Sequence, residues 1–110
     1  MKLPNAELAV VDIRKLRDYC LNPLHPEGKH KARLFMAALG MTIQDAEGLQ
    51  NILLQAVHTA EVQGGRGDPY GQRYTMDFTL TWRGKQATIR SGWIIEDGSI
   101  VPRLTTCYPL

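Results

Sequence analysis

The chain has 110 residues, a length typical of one domain, and 44% of them are hydrophobic, which predicts a single core and excludes a disordered chain. The formal net charge is only +2, so overall charge by itself does not indicate a nucleic-acid partner. No apolar run is long enough to span a membrane, and the polar start of the chain lacks the pattern of a signal peptide. We therefore expect one domain over residues 1–110, located in the cytoplasm, with no membrane partner.

Cys20 and Cys107 are the two cysteines of the chain, and neither belongs to a Cys-x-x-Cys motif. In the cytoplasm we expect both to be free thiols. No group of His, Cys, Asp and Glu residues has the spacing of metal ligands. The sequence therefore predicts neither a bound metal nor a cofactor.

Hydrophobic residues recur at helical spacing through the first half of the chain, which predicts mainly helix over residues 12–61. Asp12 is a favourable N-cap for the first helix. A second helix is predicted from about residue 29 to residue 39, with Gly40 as its C-terminal cap. The third helix is predicted over roughly residues 43–61.

Local sequence signals mark both ends of the third helix. Thr42 and Asp45 resemble a capping box with Asp in place of Glu, which predicts the helix start. The glycine-rich segment 63–71 follows the helix and is predicted to be a flexible loop.

In the second half of the chain the hydrophobic period changes to two, which predicts β-strands. Strands are expected over 74–82, 85–95 and 100–108, with turns at residues 83–84 and 96–99. Because helices precede strands, the predicted class is α+β, with the N-terminal helices packed on one face of a C-terminal antiparallel β-meander. The packed face is expected to carry alternating apolar residues: Tyr74, Met76, Phe78, Leu80 and Trp82.

The connection between the first and second helices is the most polar segment of the chain and holds His25. Prolines on both sides of His25 stiffen the backbone, and Lys31 follows in the second helix. An imidazole and an ammonium group at this spacing could face one ligand. The alternative is that His25 caps the second helix or hydrogen-bonds the loop, and that Lys31 lies over Phe35 at the core margin.

Several short patterns resemble a small bacterial domain family of unknown function, and together they span almost the whole chain. The patterns are Lys15-Leu16-x-x-Tyr19-x-Leu21-Asn22, His25-Pro26-x-Gly28-x-x-Lys31-Ala32-x-x-Phe35, Tyr70-Gly71-x-x-Tyr74, Arg90-Ser91-x-Trp93 and Pro102-Arg103-Leu104-x-Thr106-Cys107-Tyr108. Cys20 departs from the usual apolar residue of that family. The layout of helices followed by an antiparallel sheet is similar to the barnase/EndoU/colicin/RelE-like superfamily of metal-independent ribonucleases.

The resemblance implies a ribonuclease, such as the toxin component of a toxin–antitoxin or polymorphic toxin system. It implies catalytic roles for a set of polar residues: His25, Lys31, Arg90, Arg103 and Thr106. Tyr108 and Trp93 are the expected substrate-binding residues. The expected partners are RNA and a small cognate antitoxin or immunity protein.

These residue types suit RNA cleavage by the neighbouring 2′-hydroxyl. That reaction needs a base, an acid and cations for the charged phosphorane, which His25, Lys31, Arg90 and Arg103 would supply. An alternative for Arg90 is a cross-strand ion pair with Asp77. The alternative function is a non-catalytic binding module, immunity-like or phage-associated, with a basic face.

Overall fold

The computed structural model describes residues 1–110, with helices in the N-terminal half followed by four strands. The helices are α1 (Ile13–Lys15), which continues directly into a π-helical turn over Leu16–Cys20, then α2 (Lys29–Leu39) and α3 (Ala46–Ala56). The strands are β1 (Val62–Asp68), β2 (Gly71–Trp82), β3 (Lys85–Glu96) and β4 (Pro102–Pro109). The predicted α+β class is confirmed.

The predicted helix caps are present. The Asp12 carboxylate accepts a 3.0 Å hydrogen bond from the Arg14 amide at the start of α1. Gly40 ends α2 with a φ of 67°, a left-handed conformation that glycine adopts without steric cost. Thr42 and Asp45 form the reciprocal capping box, with the Thr42 amide donating to the Asp45 carboxylate at 3.0 Å. That box opens a 3₁₀ turn, from which α3 continues.

Helix α3 ends at Ala56, five residues before the predicted boundary at residue 61. The His58 and Thr59 amides donate to carbonyls three residues back, at 3.1 Å in each case. This tighter pattern closes the helix and turns the chain towards β1. None of the helices combines the length and the apolar composition needed to cross a membrane.

The glycine-rich segment after α3 is a strand, so its prediction as a flexible loop is wrong. Strand β1 pairs antiparallel with β2, from Val62 opposite Met76 to Asp68 opposite Gly71, with a register irregularity between Gly64 and Gly67. Its middle residues are exposed. A period-two search detects only strands in which apolar and polar residues alternate. Strand β1 lacks this alternation, because it lies at the edge of the sheet and is held by backbone hydrogen bonds.

The four strands form one antiparallel sheet in the order β1-β2-β3-β4. Arg83 and Gly84 connect β2 to β3 with φ values of 49° and 81°, as a tight two-residue hairpin turn requires. Met76 and Leu80 of β2 are buried beneath the helices, in one cluster with Phe35 of α2. The predicted packing of the helices on this face of the sheet is therefore confirmed.

Strand β4 contains a bulge that changes which side chains share a face. Thr106 pairs with Gly92, whereas Leu104 pairs with Trp93, so Thr105 is an extra residue without a partner in the ladder. The extra residue places Arg103, Thr106 and Tyr108 on the face of the sheet that carries Arg90. Regular alternation would have put Arg103 and Thr106 on opposite faces. Beyond the bulge, Val10 covers part of the outer edge of β4 through a short parallel bridge to Arg103.

Trp93 lies in the core, with only 1% of its surface exposed. Its indole N–H donates a 2.9 Å hydrogen bond to the Ser91 hydroxyl, which in turn donates to the Met76 carbonyl at 2.9 Å. The buried ring offers no face to a ligand. Trp93 therefore contributes to packing and does not line the surface where a substrate-binding residue was expected.

Candidate functional site

The connection from the π-helical turn to α2 is held by His25 and Gly28. The His25 Nδ1 atom accepts hydrogen bonds from the amides of Glu27 and Gly28, at 3.0 and 2.9 Å. A side chain at Gly28 would overlap the carbonyl oxygen of Tyr19, so only glycine permits this close approach. The loop is thereby fixed against the turn that carries Tyr19.

The hydrogen bonds at Nδ1 define the state of the imidazole. Because that nitrogen accepts from two amides, the neutral ring carries its proton on Nε2. His25 can therefore donate a hydrogen bond from Nε2, whereas accepting a proton at Nδ1 would break both bonds that hold the loop. Both amides precede α2, which begins at Lys29, so His25 hydrogen-bonds within the loop.

Tyr19 is the centre of the site and lies between His25 and Lys31. Its ring meets the His25 ring edge-on, with 5.0 Å between centroids and an interplanar angle of 82°. On its other side the Lys31 ammonium donates a 3.0 Å hydrogen bond to the Tyr19 hydroxyl. The π-helical turn matters here, because its wider backbone sets the direction of the Tyr19 side chain.

Lys31 also approaches an aromatic ring of the sheet. Its ammonium lies 5.7 Å from the centroid of the Tyr108 ring and 5.1 Å from that of the Tyr19 ring, both within the range of a cation–π interaction. The hydrogen bond to Tyr19 raises the pKa of Lys31, against the opposing effect of partial burial. Lys31 therefore stays charged at neutral pH, and no carboxylate pairs with it.

Arg90 lies beside Tyr108, its partner in the β3–β4 ladder. Its guanidinium binds the Asp77 carboxylate in a bidentate way, at 2.9 and 2.8 Å, which confirms the cross-strand ion pair that was the alternative for this residue. The Arg90 hydrogen bonds lower the pKa of Asp77, and the Asp77 carboxylate raises the pKa of Arg90. Arg90 is thus fixed in position, with 43% of its side chain exposed.

Both cysteines are free and fully buried beneath this cluster. The neighbouring Cys107 thiol lowers the pKa of Cys20, and the positive charge of Lys31 contributes in the same direction. The Cys20 thiol and burial together raise the pKa of Cys107. The departure from an apolar residue at position 20 therefore places two thiols side by side under Lys31.

An open groove of about 660 Å³ lies next to Tyr19. It runs between α1, the loop before α2 and the β4 bulge, and its lining is almost entirely polar: Asp12, Arg14, Lys15, Asp18, Tyr19, His25, Glu27 and Thr105. The chain contains no group of three or more His, Cys, Asp or Glu side chains that could hold a metal ion. Tyr19 lines this groove but Lys31 does not, and three of the lining residues are carboxylates, beside the cations of Arg14 and Lys15.

The sequence matches one family model over residues 2–110, described as "Domain of unknown function (DUF6883)". The chain belongs to this family. A comparison with curated proteins finds no match. Because the family description states no activity, the DUF6883 assignment leaves the function to be argued from the geometry.

One solved structure shares the fold of this DUF6883 domain. It is titled "Contact-dependent growth inhibition toxin - immunity protein complex from Klebsiella pneumoniae 342", and its matching chain is 19% identical, with a TM-score of 0.69. The match covers 92% of this chain and 99% of that chain. At this level of identity the similarity shows that the two chains have the same fold.

The structure brings together some of the residues that were predicted to form the site of this DUF6883 domain. His25 and Lys31 contact Tyr19. Lys31 also approaches Tyr108, whose ladder partner is Arg90. Arg103 is separate: it binds Glu96 at 3.3 Å and lies opposite Ile94 in the ladder. Four residues along β3 separate Arg90 from Ile94, which corresponds to about 13 Å.

Thr106 lies near the cluster but points to no partner in it. Its hydroxyl is buried without a hydrogen bond, and it contributes to lowering the pKa of the neighbouring Cys20 thiol. Tyr19 was not among the predicted site residues, although it stands in a family-like pattern next to the one that holds His25 and Lys31.

Proposed function

We propose that this domain is a ribonuclease of the toxin type, which cleaves RNA without a metal ion. The 2′-oxygen attacks the adjacent phosphorus, a new oxygen–phosphorus bond forms, and the bond to the 5′-oxygen breaks. A water molecule accepts the proton of the 2′-hydroxyl, the Tyr19 hydroxyl gives its proton to the 5′-oxygen, and solvent then returns a proton to Tyr19. The products are a 2′,3′-cyclic phosphate and a 5′-hydroxyl.

The single observation that carries this proposal is the Lys31 ammonium on the Tyr19 hydroxyl. It is a half-buried cation with no carboxylate partner, and the tyrosine that it binds lines a polar groove. Desolvation strengthens its attraction for a phosphate, and the gain increases as negative charge develops on the phosphorane.

Tyr19 has a defined role in this scheme. Because its oxygen accepts from Lys31, its own hydrogen is free to point away from the ammonium and towards the groove. The Tyr19 hydroxyl would donate to a non-bridging or leaving oxygen of the phosphate. Lys31 would then stabilise the negative charge that develops on the Tyr19 oxygen. The Tyr19–Lys31 pair thus combines proton donation with charge stabilisation.

The other residues have supporting roles in the proposal. The Nε2–H group of His25 would donate a hydrogen bond to the substrate, since its Nδ1 atom is occupied. Arg90 would hold a phosphate with its exposed edge, and Tyr108 would contact a base or ribose. Arg103, at a distance along the same face, would contact the RNA strand outside the reacting phosphate. Thr106 would support the site through its contact with Cys20.

A cognate inhibitor protein is part of the proposal. The solved structure with the same fold is, by its title, a complex of a toxin with an immunity protein. A toxin that cleaves RNA inside the cell that makes it needs such a partner. This supports a small cognate antitoxin or immunity protein for the present chain.

The test is an RNA-cleavage assay with purified protein in EDTA. We expect cleavage of single-stranded RNA, products that end in a 2′,3′-cyclic phosphate, and no cleavage when the 2′-hydroxyls are methylated. A protein with Lys31→Ala, purified in parallel, controls for contaminating nucleases. Intact RNA after incubation with the wild-type protein at high concentration would contradict the proposal.

A second candidate is a non-catalytic binding module of the immunity-like kind. The observation that favours it is the pairing of arginines on the exposed sheet face. Arg73 binds Asp68, Arg90 binds Asp77 and Arg103 binds Glu96, which leaves this face less attractive to a polyanion than its arginine content suggests. Binding of a partner protein together with complete absence of RNA cleavage would favour this second function.

A further inference from the structure

A second groove, of about 580 Å³, lies on the other side of α2 from Lys31. Its floor is apolar and consists of Leu21, Ala32, Met36, Met41 and Ile43, and polar residues complete its rim. Met36 is 52% exposed and Ile43 is 37% exposed. The other floor residues are buried, so the exposed apolar surface of the groove comes mainly from these two side chains.

The residues that α2 contributes to this groove follow one helical stripe. Lys29, Ala32, Arg33 and Met36 lie at positions i, i+3, i+4 and i+7 of the helix. Lys31 is about 160° around the helix axis from Lys29, so it belongs to the site at Tyr19 and not to this groove. The two sites therefore share a helix without sharing a side chain.

All the charged side chains that line the groove are positive. Lys29 and Arg33 line it, and neither forms an ion pair. No acidic residue lines the groove, and α2 itself contains none. Carboxylates on an occupant of the groove would therefore meet two exposed, unpaired cations at its rim.

We propose that this groove binds an acidic amphipathic helix of a partner protein. Apolar side chains of that helix would fill the space over Met36 and Met41, and its Asp or Glu residues would pair with Lys29 and Arg33. Two methionines on the floor suit this role, because their flexible side chains adapt to the shape of an inserted residue. The proposal does not depend on RNA cleavage.

A nucleic acid fits the groove less well than a protein helix does. The floor offers apolar side chains where a nucleic acid would present phosphate and ribose, and only two cations lie on the rim. A helix in a groove, anchored by side chains at i, i+3, i+4 and i+7, is a common mode of peptide recognition. In the present groove α2 contributes Ala32 and Met36 to the apolar surface on which such anchors would pack.

The test uses two designed helical peptides with leucines on one face. In the first peptide the other face carries glutamates, and in the second it carries lysines. The methionine methyl groups of the protein are labelled with ¹³C and observed by NMR during titration. Met36 is exposed in the groove and Met41 lines it from the core, whereas Met76 is buried and does not line the groove, so it serves as an internal control.

We expect the glutamate peptide to shift the Met36 and Met41 signals and to leave Met76 unchanged. The lysine peptide should bind at least about tenfold more weakly, because like charges would meet at Lys29 and Arg33. Equal binding of the two peptides, or no shift with either, would overturn the proposal. Shifts of Met36 and Met41 with anionic vesicles, but not with the glutamate peptide, would assign the surface to a membrane and also overturn it.

Substitutions provide matched controls on the same helix. Met36→Glu should weaken binding of the glutamate peptide by about tenfold or more, whereas Leu34→Glu should not, since Leu34 is similarly exposed, at 46%, but lies outside the groove. Arg33→Glu should reverse the preference in favour of the lysine peptide. An equal loss with Leu34→Glu would contradict the assignment of the groove. RNA cleavage, measured on the same variants, should remain at the wild-type rate if the domain is a ribonuclease.

Discussion

Lys31 donates a 3.0 Å hydrogen bond to the hydroxyl of Tyr19, and this bond joins α2 to the π-helical turn. The bond raises the pKa of Lys31. Because the pKa of Lys31 is higher in the folded state than in the unfolded state, the bond stabilises the fold fully at pH values below the usual lysine pKa. This stabilisation is lost as the pH rises through the folded-state pKa. At neutral pH the pair is therefore intact, and the ammonium is available for a phosphate.

Tyr19→Phe removes the acceptor of this bond and keeps the ring. We expect the free energy of unfolding to fall by about 0.5–1.5 kcal/mol. If the domain is a ribonuclease, cleavage should fall by about 10²-fold or more, because the proton donor is lost. Tyr74→Phe is the matched control, since the Tyr74 hydroxyl has no hydrogen bond to the protein. Similar losses of cleavage in both variants would contradict the role of Tyr19.

Gly28→Ala should disturb the loop that holds Tyr19. The added methyl group would overlap the Tyr19 carbonyl oxygen, which belongs to the backbone and cannot rotate away. We expect a loss of about 1–3 kcal/mol in a urea unfolding experiment. Gly64→Ala, in the exposed edge strand, meets only the end of the Gln72 side chain at 4.0 Å and should cost less. Equal stability of Gly28→Ala and wild type would show that the loop does not pack on Tyr19 as described.

Ser91→Ala should destabilise the core although it removes only one oxygen atom. The Ser91 hydroxyl satisfies both the Trp93 indole N–H and the Met76 carbonyl, and all of them are buried. Leaving these groups unpaired should cost about 1–3 kcal/mol, measured by thermal or urea unfolding. In a double-mutant cycle with Trp93→Phe the losses should not add, because the indole donor is already absent. Simple additivity would contradict the hydrogen-bonded link.

Asp77→Asn tests the cross-strand ion pair through its pH dependence. The Arg90 hydrogen bonds lower the pKa of Asp77 in the folded state. The ion pair therefore stabilises the fold at pH values above the usual aspartate pKa, and this stabilisation is lost as the pH falls through the lowered folded-state pKa. We expect a cost of at most about 1 kcal/mol at neutral pH, because both side chains are partly exposed. The difference from wild type should vanish in acid. Asp97→Asn, at an exposed turn and without an ion pair, should show no such dependence.

The helices and the inner face of the sheet could be predicted because each depends on local signals. Asp12, Gly40 and the Thr42–Asp45 box mark helix ends, and the alternation from Tyr74 to Trp82 marks a half-buried strand. Strand β1 could not be predicted, since backbone pairing with β2 makes it a strand and its exposed residues carry no apolar pattern.

The site was only partly predictable, because it depends on two backbone irregularities. The π-helical turn over Leu16–Cys20 directs Tyr19 towards Lys31, and the bulge at Thr105 sets the faces of Arg103, Thr106 and Tyr108. Hydrophobic periodicity assumes regular helices and strands, so it registers neither feature. For Arg90 the sequence left two alternatives, and the register that places Asp77 opposite it decided for the ion pair.

The measurement that tests the account most directly compares Lys31→Ala with Lys29→Ala in the RNA-cleavage assay. Both variants remove an ammonium without a carboxylate partner from α2, so the net charge changes equally. We predict that Lys31→Ala lowers the cleavage rate by about 10²-fold or more, because transition-state charge stabilisation is lost. Lys29→Ala should stay within about threefold of wild type, since a distant exposed charge contributes only weak, salt-screened attraction. Equal rates for the two variants would contradict the account.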